Sequence, residues 1–219
     1  MTDTTPGSGG GELVDLTRAI EPGMPTYPGD PEVHVDPHAT HEADGYRVSE
    51  LRIGTHTGTH VDAPAHVYPD GATLDTFGIG DFRFDARAVR CPDVADGDAI
   101  SADVLPPADA LDDLGALVFD TGWAEAWGTD RMTGHPFLAP ETARRCADAG
   151  VAVATDTLSP DPSDRATDLP AHRALCEAGL PIVENLRSLD ALPDGSFELL
   201  VFPLRIDADG APARAVARF

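Results

Sequence analysis

Residues 56–66 read HTGTHVDAPAH, inside the longer run THTGTHVDAPAHVYPD at positions 55–70. Four side chains able to ligate a metal, His56, His60, Asp62 and His66, fall within these eleven residues, although the eight histidines of the chain are spread over 219 positions. Neutral imidazole with carboxylate is the ligand set of catalytic zinc, iron or manganese. All four positions are even, so an extended strand turns them to one face. A straight strand would still set His56 and His60 about 13 Å apart at ~3.3 Å per residue, too far for one ion. Gly58, midway between them, allows a bend that closes the gap, and Pro64 takes the chain out of the ladder and swings His66 back. Thr, Gly, Val and Pro argue against a helix here. The segment is therefore expected to form a metal-binding turn.

Upstream, EPGMPTYPGDPE at positions 21–32 holds four prolines and two glycines and must be a loop, with Tyr27 between Pro25 and Pro28. Leu13–Leu16 and Tyr46–Thr55 read as strands. Downstream, Arg83–Arg90 is strand-like, and Leu114–Asp120 and Val151–Asp156 are short apolar runs expected of strands buried on both faces. A helix is predicted from Pro140, with Ala143, Cys146 and Ala147 on one face and Gly150 ending it. A second is predicted from an N-cap at Asp168, with Ala171, Ala174, Leu175 and Ala178 on one face, stopping at Gly179. Ile182–Glu184, Phe197–Ile206 and Ala213–Phe219 complete the strands, the last two flanking the turn signal Asp209-Gly210. Strand and loop come first, and strand alternates with helix later, which argues a mixed α/β domain over residues 12–219. Residues 1–11 read as a short disordered tail.

At 42% hydrophobic and 24% charged, the chain can bury a core. Its longest apolar stretches are six residues, against about 18–20 for a membrane span, and the N-terminus lacks a signal-peptide pattern. A cytoplasmic location is expected. Asp and Glu number 38, and the 15 cations are all Arg, giving −23 spread over the whole length. Such a surface will bind neither nucleic acid through its phosphates nor an anionic membrane. It repels itself unless salt screens it, so the composition is that expected of a salt-accumulating halophile. Cys91, Cys146 and Cys176 are odd in number, include no CxxC, and read as small buried residues in a reducing compartment.

HTGTHVDAPAH resembles the HxGTHxDxPxH signature of the metal-dependent cyclase family, which includes bacterial kynurenine formamidases. The resemblance runs over nearly the whole chain after the tail. It takes in PTYPGDPE, FDTGW at Phe119–Trp123, DTLSPDPSD at Asp156–Asp164, and the block from Leu169 that contains VENLRSLDAL. It implies a swivelling β/β/α domain, a barrel-like mixed sheet with flanking helices, as a homodimer or homotetramer. It implies one zinc held by His56, His60 and Asp62. Asp62 and Glu184 would bridge to a second zinc, which His172 completes, with manganese as the alternative ion. His66 is then a proton shuttle rather than a ligand. Tyr27 sits where the kynurenine formamidases carry a tryptophan that packs on the substrate. The implied reaction is hydrolysis of an aryl formamide, N-formylkynurenine to kynurenine and formate. The alternatives are hydrolysis of a cyclic amide such as isatin, and a metal-binding protein without turnover.

Two physical readings stand beside this resemblance. His172 lies in the first turn of its predicted helix, whose positive end favours the neutral ring. Glu184 follows two apolar residues in a buried strand and so needs a cationic partner, whether a metal or Arg187 or Arg205. His34, His38, His41 and His135 match no ligand position and read as surface or loop residues.

Overall fold

The computed structural model describes residues 4–6, 11–164 and 168–219. In chain order the strands and helices are β1 (Thr4–Pro6), β2 (Glu12–Asp15), β3 (His34–Ala39), α1 (His41–Asp44), β4 (Val48–Arg52), β5 (His60–Asp62), β6 (Arg83–Arg90), β7 (Ala99–Ile100) and α2 (Ala108–Leu111). They continue with β8 (Ala116–Asp120), β9 (Phe137–Leu138), α3 (Pro140–Asp148), β10 (Ala152–Thr155), α4 (Pro170–Glu177), β11 (Ile182–Glu184), β12 (Ser196–Pro203) and β13 (Gly210–Arg218). Seven of the strands close into a mixed barrel in the order β5-β13-β12-β6-β8-β10-β11, with β11 returning to β5. The closure rests on β13, which divides one edge between two partners. Gly210–Pro212 pair with β5, and Val216–Arg218 pair with β2.

Period-2 alternation sorts the side chains between two cores. Ala116 and Val118 of β8, Ala152 and Ala154 of β10, Val61 of β5 and Val183 of β11 enter the barrel interior, where Ala211, Ala213, Ala215 and Ala217 of β13 meet them. A seven-stranded barrel is narrow, and alanine and valine fill it without strain. The alternate residues Leu117, Phe119, Val153 and Ile182 face outward and pack under α3 and α4 through Ala143, Cys146, Ala171, Ala174 and Leu175. Each large apolar side chain buried there contributes about 1.5–3 kcal/mol. The same alternation that sends Val61 and Val183 inward leaves His60, Asp62 and Glu184 on the helix-covered face. All three cysteines are buried and unbridged, as expected. No helix among the described residues is long and apolar enough to cross a membrane.

Several expectations change. Within the expected tail, Thr4–Pro6 pair with β2 as a strand, while residues 1–3 and 7–10 lie outside the described residues. The strand expected over Tyr46–Thr55 is shorter, and it pairs with β3, which the sequence did not reveal, as a separate hairpin. Asp168 does not cap α4. The helix begins at Pro170, with Leu169 in the cap position and no side-chain cap bond. The backbone N–H groups of Ala171 and His172 donate instead to Asp161, 2.8 and 2.9 Å away, a carboxylate from the loop before the helix.

Candidate metal centre

Glu184 stands directly opposite His60 in the antiparallel β11–β5 pair, and Ile182 stands opposite Asp62. One face of two strands therefore carries an imidazole and two carboxylates, and α4 lowers His172 onto it. Asp62 turns Oδ1 to His56 Nδ1 at 2.7 Å and to His60 Nε2 at 3.1 Å, and turns Oδ2 to His172 Nε2 at 3.3 Å. Glu184 divides in the same way, with Oε2 3.3 Å from His60 Nε2 and Oε1 3.4 Å from His172 Nε2. Yet His60 Nε2, Asp62 Oδ2 and Glu184 Oε1 are buried without a hydrogen-bond partner. Buried polar atoms are rarely left so, and three converging on one point fit a cation. His56, His60 and Asp62 form one group able to hold an ion, and Asp62, His172 and Glu184 a second.

Each histidine is fixed from behind. His60 Nδ1 donates to the Gly58 carbonyl at 2.9 Å, His172 Nδ1 lies 2.7 Å from Asp161 Oδ2, and His56 Nε2 lies 3.0 Å from Asp209 Oδ2. Such outer partners set the tautomer and aim the other nitrogen inward. Gly58 makes the expected bend with φ of +61°, a left-handed conformation that glycine adopts without a Cβ penalty. Gly210 is needed for a different reason. A Cβ there would come within 2.8 Å of His56 Cε1 and 3.0 Å of the Val61 carbonyl.

The electrostatics are those of a cation site. Burial disfavours the charged form of every group, but the neighbours outweigh it. Asp62 and Glu184 hold His60 well above the usual imidazole range, and Asp161, Asp62 and Glu184 do the same for His172. In the absence of an ion these three carboxylates act on His172 against the helix dipole, which alone favours the neutral ring. Asp62 and Asp209 raise His56 to about 9 against its burial. Asp62 itself is held well below the carboxylate range by His60 and His56. The hydrogen bond from His56 lowers Asp209 likewise. A divalent ion competes with protons for these same atoms.

His66 closes the wall. Pro64–His66 form a single 3-10 turn, as Pro64 implied, and the His66 ring lies 4.2 Å from that of His56 and 5.4 Å from that of His172. A cavity of about 790 Å³, counting its open mouth, lies above, lined by these histidines, Glu184, Tyr27, Trp127 and Leu158. The structure thus brings together all seven side chains singled out from the sequence, Tyr27 as part of the cavity lining. Glu184 meets His60 and His172, and among the described residues neither Arg187 nor Arg205 bridges to it. His135 lies in a loop, as read, but not at the surface. It is 2% exposed, with Nε2 2.8 Å from Ser163 Oγ, and burial lowers its pKa. Asp161 and Asp209 escaped sequence reading as site residues, although each lies within a quoted loop or turn signal.

The family model described as putative cyclase matches residues 14–162. A kynurenine formamidase of Salinibacter ruber is 38% identical over 213 residues, covering 94% of this chain and 97% of that protein. A solved structure of a potential metal-dependent hydrolase with cyclase activity superposes with a TM-score of 0.75 at 29% identity, covering 94% and 96% of the two chains. An isatin hydrolase bound to thioisatinate shares the fold at a TM-score of 0.82 and 24% identity, over 94% and 92%. With motif, barrel and relatives in agreement over nearly its full length, this chain belongs to the cyclase family.

Proposed function

We propose that the protein is a metal-dependent amidohydrolase of aryl formamides, acting on N-formylkynurenine to give kynurenine and formate. The observation that carries this reading is the split of Asp62 and Glu184, each giving one oxygen to His60 and the other to His172. Two carboxylates so placed suit two ions held by His56, His60 and Asp62 and by Asp62, Glu184 and His172. We take both ions as zinc. Bound there, they supply an acidified water and an electrophile for the carbonyl oxygen.

The protein groups do the rest. Asp161, Asp209 and the Gly58 carbonyl hold the three rings in place. His66, partly exposed on the cavity wall beside Asp209 at 3.5 Å, carries a proton to the departing nitrogen. Tyr27 and Trp127 offer aromatic faces to an aryl group. The exposed hairpin of β3 and β4, open along all five residues of β4, supports assembly as a homodimer or homotetramer.

The test is purification in molar KCl and assay on N-formylkynurenine and isatin with zinc or manganese added. Turnover of the formamide with metal, abolished by chelation, is expected. Turnover of isatin alone would move the substrate to the cyclic amides. Metal uptake with turnover of neither would leave a metal-binding protein.

A further inference from the structure

Arg18 is a half-buried cation that feels Asp156 and Glu125 without bonding to either. Among the described residues it forms no salt bridge, although acids outnumber arginines 38 to 15 in this chain. Its Nε is buried and has no partner, and burial lowers its pKa to about 10. An unpaired buried guanidinium nitrogen is costly. What it does have is an indole, its Cζ lying 4.1 Å from the ring centroid of Trp127. Trp is the strongest partner for a cation over its face. One guanidinium nitrogen also donates to the Ala124 carbonyl at 3.1 Å, within the turn Trp123–Ala126 that delivers Trp127. The backbone N–H of Arg18 donates to Thr59 Oγ1 at 2.9 Å, next to His60. Arg18 therefore ties the indole to the strand that carries the metal-binding side chains.

Trp127 lines the cavity above those side chains. The other tryptophan provides an internal contrast. Arg131 lies over Trp123 at 4.8 Å, but it is paired with Asp96 at the surface, and Trp123 does not line the cavity. A cation held over the face of an indole is attracted by the ring quadrupole and so fixes the ring's position.

We propose that Trp127 is the surface on which the aryl ring of the substrate packs, and that Arg18 is the positioning residue that holds the indole in register with the metal centre. The proposal rests on the amidohydrolase reading and deepens it, because it makes the enzyme select aryl amides over alkyl amides of the same size.

The experiment compares formanilide with N-cyclohexylformamide on the metal-loaded wild type, Trp127→Leu, Arg18→Met and Arg18→Lys, at matched metal content and melting temperature. Trp127→Leu should raise KM for formanilide about tenfold, the upper range for an aromatic pair, leave kcat within about twofold, and barely alter KM for the cyclohexyl compound. Arg18→Met should shift KM the same way by less, and Arg18→Lys should restore part of it. Equal effects on both substrates, or a fall in kcat at constant KM, would overturn the proposal. A second arm needs no turnover. Aniline should quench tryptophan fluorescence in the wild type and in Trp123→Phe, and quenching that persists in Trp127→Leu would overturn the platform. Wild-type protein inert toward both amides would sink the hydrolase reading, while the aniline titration would still decide whether Trp127 receives an aryl ring.

Discussion

Glu184 and His60 face one another across the β11–β5 pair, so a carboxylate and an imidazole from strands 124 residues apart share one face without any loop to aim them. Their placement follows from period-2 alternation, because Val61 and Val183 must enter the barrel. Ligands on strands are held more stiffly than ligands on loops. His56 and His66, which do lie outside strands, are held by Asp209.

His66→Ala separates ligand from proton carrier. Its kcat should fall by about 10²–10⁴-fold, the usual range for a general acid or base, with metal content unchanged by elemental analysis. Loss of metal along with activity would make His66 a ligand.

Asp161→Asn removes the charge behind His172 but keeps the shape, and it also weakens the cap of α4. Metal affinity should drop about 10–100-fold, and Asp209→Asn should do the same through His56. A titration with a competing chelator measures both. Unchanged affinity in both variants would remove the outer carboxylates from the account.

The sequence showed the parts of this site that obey a local rule. Arg83–Arg90 and Ile182–Glu184 form strands at the bounds read from apolar patterning, and Gly58 and Pro64 bend the chain where expected. Asp161 and Asp209 obey no period. They reach the site from loops, Asp209 across 153 residues to His56. The barrel was legible only through the family resemblance, because β13 exchanges partners along one edge and no alternation records that. The burial of the loop residue His135 was hidden for the same reason, since its ring meets the distant Ser163.

Metal should abolish the pH response of the free protein. His56 has its pKa raised from the usual 6.5 to about 9, so its proton stabilises the fold fully below about pH 6.5, and that contribution is lost as pH rises through about 9. Chelated protein should lose melting temperature over this window. With zinc present the loss should vanish, because ion affinity grows as the protons leave. A melting temperature of chelated protein that rises from about pH 6.5 to 9 would contradict this.

Net charge sets the salt response. At −23 with no lysine, lowering salt from molar to about 0.1 M lengthens the screening distance roughly threefold. Melting temperature and activity should fall together, and zinc should restore part of both, because a ligand of the native state stabilises it by mass action. A melting temperature flat from about 0.1 to 3 M KCl would defeat the halophile reading and leave the hydrolase reading intact.

The central claim is that Asp62 joins two ion sites, with Oδ1 toward His56 and His60 and Oδ2 toward His172. Elemental analysis of purified wild type and Asp62→Ala tests it most directly. The account predicts up to two divalent ions per chain in the wild type and none in the variant. Stoichiometric metal retained by Asp62→Ala would contradict it.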